Sequence, residues 1–352
     1  MSLGPIMVDV AGRSLLPEDK NLLRHPWVGG VILFARNFSH IQQLCQLVEE
    51  IKRLRHPALL VAVDHEGGRV QRFRDGFTHI PAMHQLGHLY DIDPAQARAL
   101  AKDIGWLMGA ELNAVGVDLC FAPVVDLGSG LSEVIGDRAF HADAKVVARL
   151  ALDLAMGLRD AGMAATAKHF PGHGGVVLDS HVAQPVDRRD WWDLDADMYP
   201  FRTLLNNGVH SVMTSHVVYS QVDALPASLS PVWIKRILRE DMRFQGAVMT
   251  DDLSMAGAQA FGGIEQRVQL ALEAGADLLL ICNHRESVER ALAVERGAIP
   301  AASALRLARL RAKRLNAEFA TMELLNQHPR VMAIRERIVA LINRAPDLKL
   351  EG

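Results

Sequence analysis

Eight short apolar segments recur along the chain, and between most of them lie stretches with helical periodicity. This alternation constrains the fold more than any other feature. The segments are 6–10, 30–35, 59–64, 117–121, 164–169, 211–215, 247–251 and 277–282. Their hydrophobicity is nearly continuous rather than strictly alternating, as in parallel strands covered on both faces. Over 41–54, the positions Ile41, Leu44, Cys45, Leu47, Val48, Ile51 and Leu54 trace one face of a helix. Asp93-Pro94 and Ser230-Pro231 each set a capping side chain before a proline suited to the first helical turn. Eight strand-helix units are the number at which a parallel barrel closes, so the expected class is α/β, a single (β/α)8 TIM-type barrel.

Length alone would divide 352 residues into two domains, but such a barrel commonly uses about 250 or more residues as one unit. With 49% hydrophobic and 22% charged residues, the chain can bury a large core. After the eighth segment the pattern stays helical. A basic run, Arg306, Arg309, Arg311, Lys313 and Arg314, is interleaved with Leu305, Leu307, Leu310 and Leu315. It reads as an amphipathic helix packed on the barrel with a solvated basic face. The expectation is one catalytic domain over 1–352, with 285–352 as a helical C-terminal extension.

The net charge of −3 gives no electrostatic case for nucleic acid or an anionic membrane as partner; a neutral or mildly charged small molecule fits better. Cys45, Cys120 and Cys282 are far apart and sit in apolar stretches, so they are expected as buried thiols. No targeting pattern opens the sequence and no apolar run approaches membrane-spanning length, which makes the cytoplasm the expected compartment. The oligomeric state is left open.

Barrel enzymes carry their chemistry at the C-terminal ends of the strands, so the polar residue ending each apolar run is informative. These are Arg36-Asn37, Asp64, Lys168-His169, His216, Asp251 and Asn283. Ionisable groups at so many ends predict a converging site. The densest segment runs from Lys168 and His169 through Gly172, His173, Gly174 and Gly175 to Asp179 and His181. Asp179 and His181, two apart, project to one side of an extended segment, so the carboxylate can orient the imidazole and stabilise its protonated form. The histidines and Asp179 are also metal-competent, though without a recognised zinc spacing. The glycines lack the Lys-Ser/Thr ending of a phosphate loop, and His173 is equally compatible with a loop-organising role. Asp251 ends a strand where a carboxylate points into a barrel mouth; Asp252 suits the cap of the following helix. Together with the Asp179/His181 pair, Asp251 supplies what a retaining glycosidase needs, a carboxylate to attack the anomeric carbon and a separate proton donor. Asp64 and Arg72, in the charged and glycine-rich stretch 63–72, suit either sugar hydroxyls or surface ion pairs.

The stretches VDHEGGRVQR at 63–72, GDRAF at 136–140, KHFPGHG at 168–174, DSH at 179–181, MTSHVVY at 213–219 and TDDLSMAGA at 250–258 resemble family 3 glycoside hydrolases, specifically bacterial cell-wall-recycling β-N-acetylglucosaminidases. The resemblance implies Asp251 as nucleophile, His181 as acid and later base, and Asp179 as its partner. It also implies Asp64, Arg72, Arg138, Lys168 and His169 as sugar-binding residues. His65 stands where such sequences usually have glutamine. No metal and no cofactor is implied. The implied substrate is N-acetylglucosaminyl-β-1,4-anhydro-N-acetylmuramic acid and its peptide-bearing forms. Two rivals are a phosphorylase on the same scaffold, because a histidine acid does not repel an anionic acceptor, and a noncatalytic sugar-binding barrel.

Overall fold

The computed structural model describes residues 2–176, 184–294 and 297–344. Parallel strands form at all eight expected places. They are β1 (Ile6–Val8), β2 (Val28–Leu33), β3 (Leu60–Val63), β4 (Leu119–Cys120), β5 (Thr166–Phe170), β6 (Ser211–Thr214), β7 (Ala247–Thr250) and β8 (Leu279–Ile281). One sheet has the order β8-β1-β2-β3-β4 and a second the order β7-β6-β5, every pairing in them parallel. Isolated parallel bridges join Leu119 to Ala164, Val124 to Lys168 and Met249 to Leu278.

The strands bury both faces, and the two-residue side-chain period divides them between two cores. Val61, Val63, Val212, Val248, Leu279 and Ile281 belong to the larger core, shared with the helices. Their neighbours Leu60, Ala62, Met213, Ala247, Met249 and Leu280 belong to a smaller one, which Leu3, Leu307 and Leu310 complete. Following that second parity leads to Lys168 within β5 and, just past the ends of β3 and β7, to Asp64 and Asp251. The alternation thus sets these three ionisable residues on the face of the smaller core.

Helices fill most of the connections. Ile41–Arg53 buries Leu44, Leu47, Val48 and Ile51, the face anticipated. Asp93 caps Pro94–Ala114 by accepting from Gln96 N at 3.0 Å. Ser230 Oγ accepts from Trp233 N at 3.1 Å at the start of the following helix.

The C-terminal region departs from expectation in detail. Its helices are Arg285–Ala293, Ala301–Ala308, Met322–Gln327 and Pro329–Arg344. The helix through the basic run ends at Ala308, where Leu307 and Leu310 turn into the smaller core while Leu305 stays exposed. Arg306 pairs with the buried carboxylate of Asp277 at 3.1 Å, and Arg311 approaches Asp118 at 3.7 Å. The run is therefore partly structural rather than a fully solvated face, because buried carboxylates need cationic partners. Helix Pro329–Arg344 is tied to Pro94–Ala114 by Arg335, which reaches Glu111 at 2.9 Å and Thr78 Oγ1 at 2.7 Å. Among the cysteines, Cys120 and Cys282 are buried as expected, but Cys45 is only half-buried. No helix among the described residues is long and apolar enough to cross a membrane.

Candidate active site

A cavity of about 280 Å³ opens at the C-terminal ends of the strands, with Ile32, Phe121, Met213 and Leu280 of the smaller core in its lining. Asp64, Glu66, Arg72, Arg138, Lys168, His169, His173, Asp251 and Asn283 also line it. Of the anticipated site residues, Asp64, Arg72, Arg138, Lys168, His169 and Asp251 therefore converge. Asp179 and His181 lie outside the described residues.

Asp64 directly follows β3, and a short hairpin pairing His65–Gly67 with Val70–Gln71 folds back beside it. The hairpin turn needs glycine: Gly67 and Gly68 have φ of +100° and +52°, and a Cβ on Gly67 would meet the Pro81 carbonyl oxygen at 2.4 Å. This turn sets Glu66 beside Asp64. Lys168, on β5, then bridges the two carboxylates, its Nζ 2.8 Å from Asp64 Oδ1 and 2.5 Å from Glu66 Oε1. Arg138 grips Glu66 with two bonds of 2.8 and 2.9 Å, a planar fork on a carboxylate. Arg72 stands 3.6 Å from Asp64 Oδ2.

Burial disfavours the charged form of each buried member, but the pairing overrides it. Burial would raise Glu66, yet Arg138 and Lys168 hold its carboxyl well below the usual range. Burial would lower Lys168, yet Asp64 and Glu66 keep its ammonium above the usual lysine value. Both therefore stay ionised at neutral pH.

Beside Lys168, the register of β5 shifts between Lys168 and Phe170, and consecutive residues Lys168 and His169 both reach the cavity. His169 Nδ1 lies 2.7 Å from Asp126 Oδ2. Asp126 is fully buried and also accepts from the backbone N–H of His169 at 3.2 Å and of His173 at 2.7 Å. Burial opposes its ionisation, but His169 and His173 keep its carboxyl below the ordinary aspartate value.

Asp251 follows β7, its N–H donating to Thr214 O at 3.0 Å. Its Oδ1 accepts from the N–H of Asp252 at 2.8 Å. Asp252 does not cap the following helix. Its side chain instead accepts from Ser254 N at 2.9 Å, Ser254 Oγ at 2.8 Å and Cys282 N at 3.0 Å, which laces the end of β7 to β8. Burial, with the nearby Asp251 charge adding to it, pushes the Asp252 carboxyl up to about 6.

Two ionisable strand-end residues expected in the site are used elsewhere. His216 is buried, with Nδ1 2.7 Å from Ser228 Oγ and Nε2 2.8 Å from the Asp252 carbonyl oxygen. Arg36 pairs with Asp9 and lies over the Phe34 ring. Glu66 and Asp126 were not singled out from the sequence, although both belong to charged or apolar runs ending at strand termini. His65 is fully buried against Phe73 and Phe77, and burial, with Arg74 and Arg72 nearby, lowers its imidazole to about 3, so it stays neutral.

The arrangement combines one carboxylate at a strand end, Asp251, with a rigid set of donors and acceptors suited to hydroxyl groups. Among the described residues, no group of three or more His, Cys, Asp or Glu is arranged to hold a metal ion.

Comparison with known proteins agrees with this geometry. Residues 6–311 match the model of the glycosyl hydrolase family 3 N terminal domain. A beta-hexosaminidase of Nitrosospira multiformis is 48% identical over 351 residues, covering 99% of this chain and 100% of that protein. One of Thiobacillus denitrificans is 49% identical over 351 residues, covering 99% and 97%. The crystal structure of NagZ from Neisseria gonorrhoeae in complex with N-trifluoroacetyl-D-glucosamine superposes with a TM-score of 0.90 at 44% identity, covering 97% of this chain and 98% of that one. A family 3 beta-N-acetylglucosaminidase from Paenibacillus has a TM-score of 0.84 at 33% identity, covering 96% of this chain and 67% of that one.

Proposed function

The chain belongs to glycosyl hydrolase family 3, and from that premise we propose that it is a retaining exo-β-N-acetylglucosaminidase acting on peptidoglycan fragments in cell-wall recycling. The observation that carries this reading is Asp251 at the end of β7, in one cavity with the Asp64–Lys168–Glu66–Arg138 network. A cavity of about 280 Å³ at the strand ends has room for a sugar ring. The GlcNAc-like ligand of the Neisseria structure and the names of the relatives support the sugar.

In this mechanism Asp251 attacks the anomeric carbon while His181, held by Asp179, protonates the departing oxygen. Water then attacks the glycosyl-enzyme as His181 takes its proton, and Asp251 leaves with net retention. Asp64, Arg72, Arg138, Lys168 and His169 bind the terminal sugar. The substrate is N-acetylglucosaminyl-β-1,4-anhydro-N-acetylmuramic acid and its peptides.

The scaffold for this site is one closed (β/α)8 barrel in a single domain, with 285–352 as a helical extension. The bridges between β4 and β5 and between β7 and β8 support closure, and Arg335 on Glu111 supports docking of the extension. A cytoplasmic site of action fits three cysteines that form no disulfide.

The test is incubation with the anhydro disaccharide and with an aryl N-acetyl-β-glucosaminide, followed by trapping with a fluorinated sugar. Release of β-N-acetylglucosamine and labelling of Asp251 are expected. Inverted product, or a sugar 1-phosphate formed only with phosphate, overturns the reading.

A further inference from the structure

We propose that Asp126 is a positioning residue that fixes His169 with a proton on Nδ1, leaving Nε2 as the nitrogen offered to the sugar. The inference rests on the reading of the cavity as a sugar site. Asp126 stands at the end of the extended run after β4, fully buried, and does not itself line the cavity. Its two oxygens receive His169 Nδ1 at 2.7 Å, His173 N at 2.7 Å and His169 N at 3.2 Å. An ionised carboxylate only accepts, so the imidazole nitrogen facing it has to donate. The neighbours that hold the Asp126 carboxyl below its ordinary value keep it in that acceptor state.

The consequence for the ligand is chemical. The cavity is already rich in donors, from Lys168, Arg138 and Arg72. A sugar hydroxyl both donates and accepts, so it also needs acceptors. With Nδ1 committed to Asp126, a singly protonated His169 offers Nε2 as an acceptor, and a doubly protonated one offers it as a donor. The same carboxylate fixes the backbone from His169 to His173, so ring orientation and proton position are set by one group.

Asp126→Asn separates proton position from packing. Its amide oxygen can take the Oδ1 place and keep the backbone N–H bonds of His169 and His173. Its amide nitrogen then faces Nδ1 and donates, which moves the ring proton to Nε2. The opposite amide orientation would set a donor against His173 N–H.

The experiment uses the full chain. Nitrogen-15 NMR of the histidine rings, without ligand, should find Nδ1 of His169 protonated in the unmodified protein and bare in Asp126→Asn. Steady-state hydrolysis of an aryl N-acetyl-β-glucosaminide should show kcat/KM reduced roughly 10- to 100-fold, the scale of a hydrogen bond turned from acceptor to donor. Most of that loss should disappear when the comparison is repeated in a His169→Ala background. A bare Nδ1 in the unmodified protein overturns the proposal without any variant, so misfolding of Asp126→Asn does not decide it. Equal losses in both backgrounds overturn it too. The NMR result stands apart from turnover: an unmodified protein that hydrolyses nothing overturns the glycosidase reading, not the proton assignment.

Discussion

Lys168 Nζ lies 2.5 Å from Glu66 Oε1 with both side chains buried, and the same carboxylate carries the fork of Arg138. One buried anion thus compensates two cations that face the sugar pocket. Glu66→Gln keeps the shape but leaves the cations undercompensated, at a cost of about 3 kcal/mol, the scale for breaking a buried pair from one side. Because the folded protein holds the Glu66 carboxyl below its ordinary value of 4.5, its contribution is present above that pH and lost as pH falls further. Thermal denaturation from pH 3 to 7 should show the unmodified protein losing more stability on acidification than the variant. Parallel curves would contradict the assignment.

Asp252 carries the opposite sign. Its carboxyl is raised from 3.8 to about 6, chiefly by burial, so the folded state favours the protonated form. That stabilisation is complete below about pH 4 and is lost as pH rises through 6, amounting to at most about 3 kcal/mol. Asp252→Asn can accept from Ser254 N and Cys282 N through its amide oxygen and donate to Ser254 Oγ. The variant should therefore be more stable than the parent at pH 7 and nearly equal to it at pH 4. Denaturant midpoints at the two pH values measure this, and destabilisation at pH 7 would contradict it.

The approach of Gly174 to the chain after β4 allows no side chain. A Cβ there would meet the Leu127 carbonyl oxygen at 2.2 Å, backbone against backbone, and Ser129 Oγ already holds Gly174 O at 2.5 Å. Gly174→Ala should cost about 1–3 kcal/mol, as overpacking does, and lower kcat/KM through the shifted His173 and His169. Gly12→Ala, with nothing within 4 Å of its Cβ, should leave both melting and activity unchanged. Equal behaviour of the two variants would contradict a tight backbone approach at Gly174.

The sequence carried the eight parallel strands because strands buried on both faces leave short, nearly continuous apolar runs. The polar residues that end those runs also pointed at Asp64, Lys168 and Asp251. That pattern could not tell that His216 would turn onto Ser228 and the Asp252 carbonyl instead of the cavity, since that depends on loops meeting across 12 and 36 positions. Asp126 was missed for a local reason. The fourth run was ended at Phe121, before Pro123, although the extended chain continues to Asp126 and bridges Lys168 through Val124. Glu66 looked like one charge in a charged loop because its two partners lie 72 and 102 residues away. Asp252 looked like a helix cap because one of its partners, Cys282 N, lies 30 positions away, just past β8.

The roles proposed for Asp251, His181 and Asp179 separate by leaving group. If His181 protonates the departing oxygen, His181→Ala should lose on the order of 10² to 10⁴ in rate with the natural disaccharide, whose leaving oxygen needs that proton. An aryl glycoside with a very acidic phenol should lose much less in the glycosylation step. Asp179→Ala should follow the same trend, since an unpartnered imidazole is less readily protonated and less well oriented. Asp251→Ala should slow glycosylation for every substrate, because help to the leaving group does not replace a missing nucleophile. Pre-steady-state glycosylation rates against leaving-group pKa, for all three variants, keep slow deglycosylation from masking the comparison. Equal slopes for the unmodified enzyme and His181→Ala would remove His181 as the acid. His173, already in the cavity lining, would then be the next residue to test.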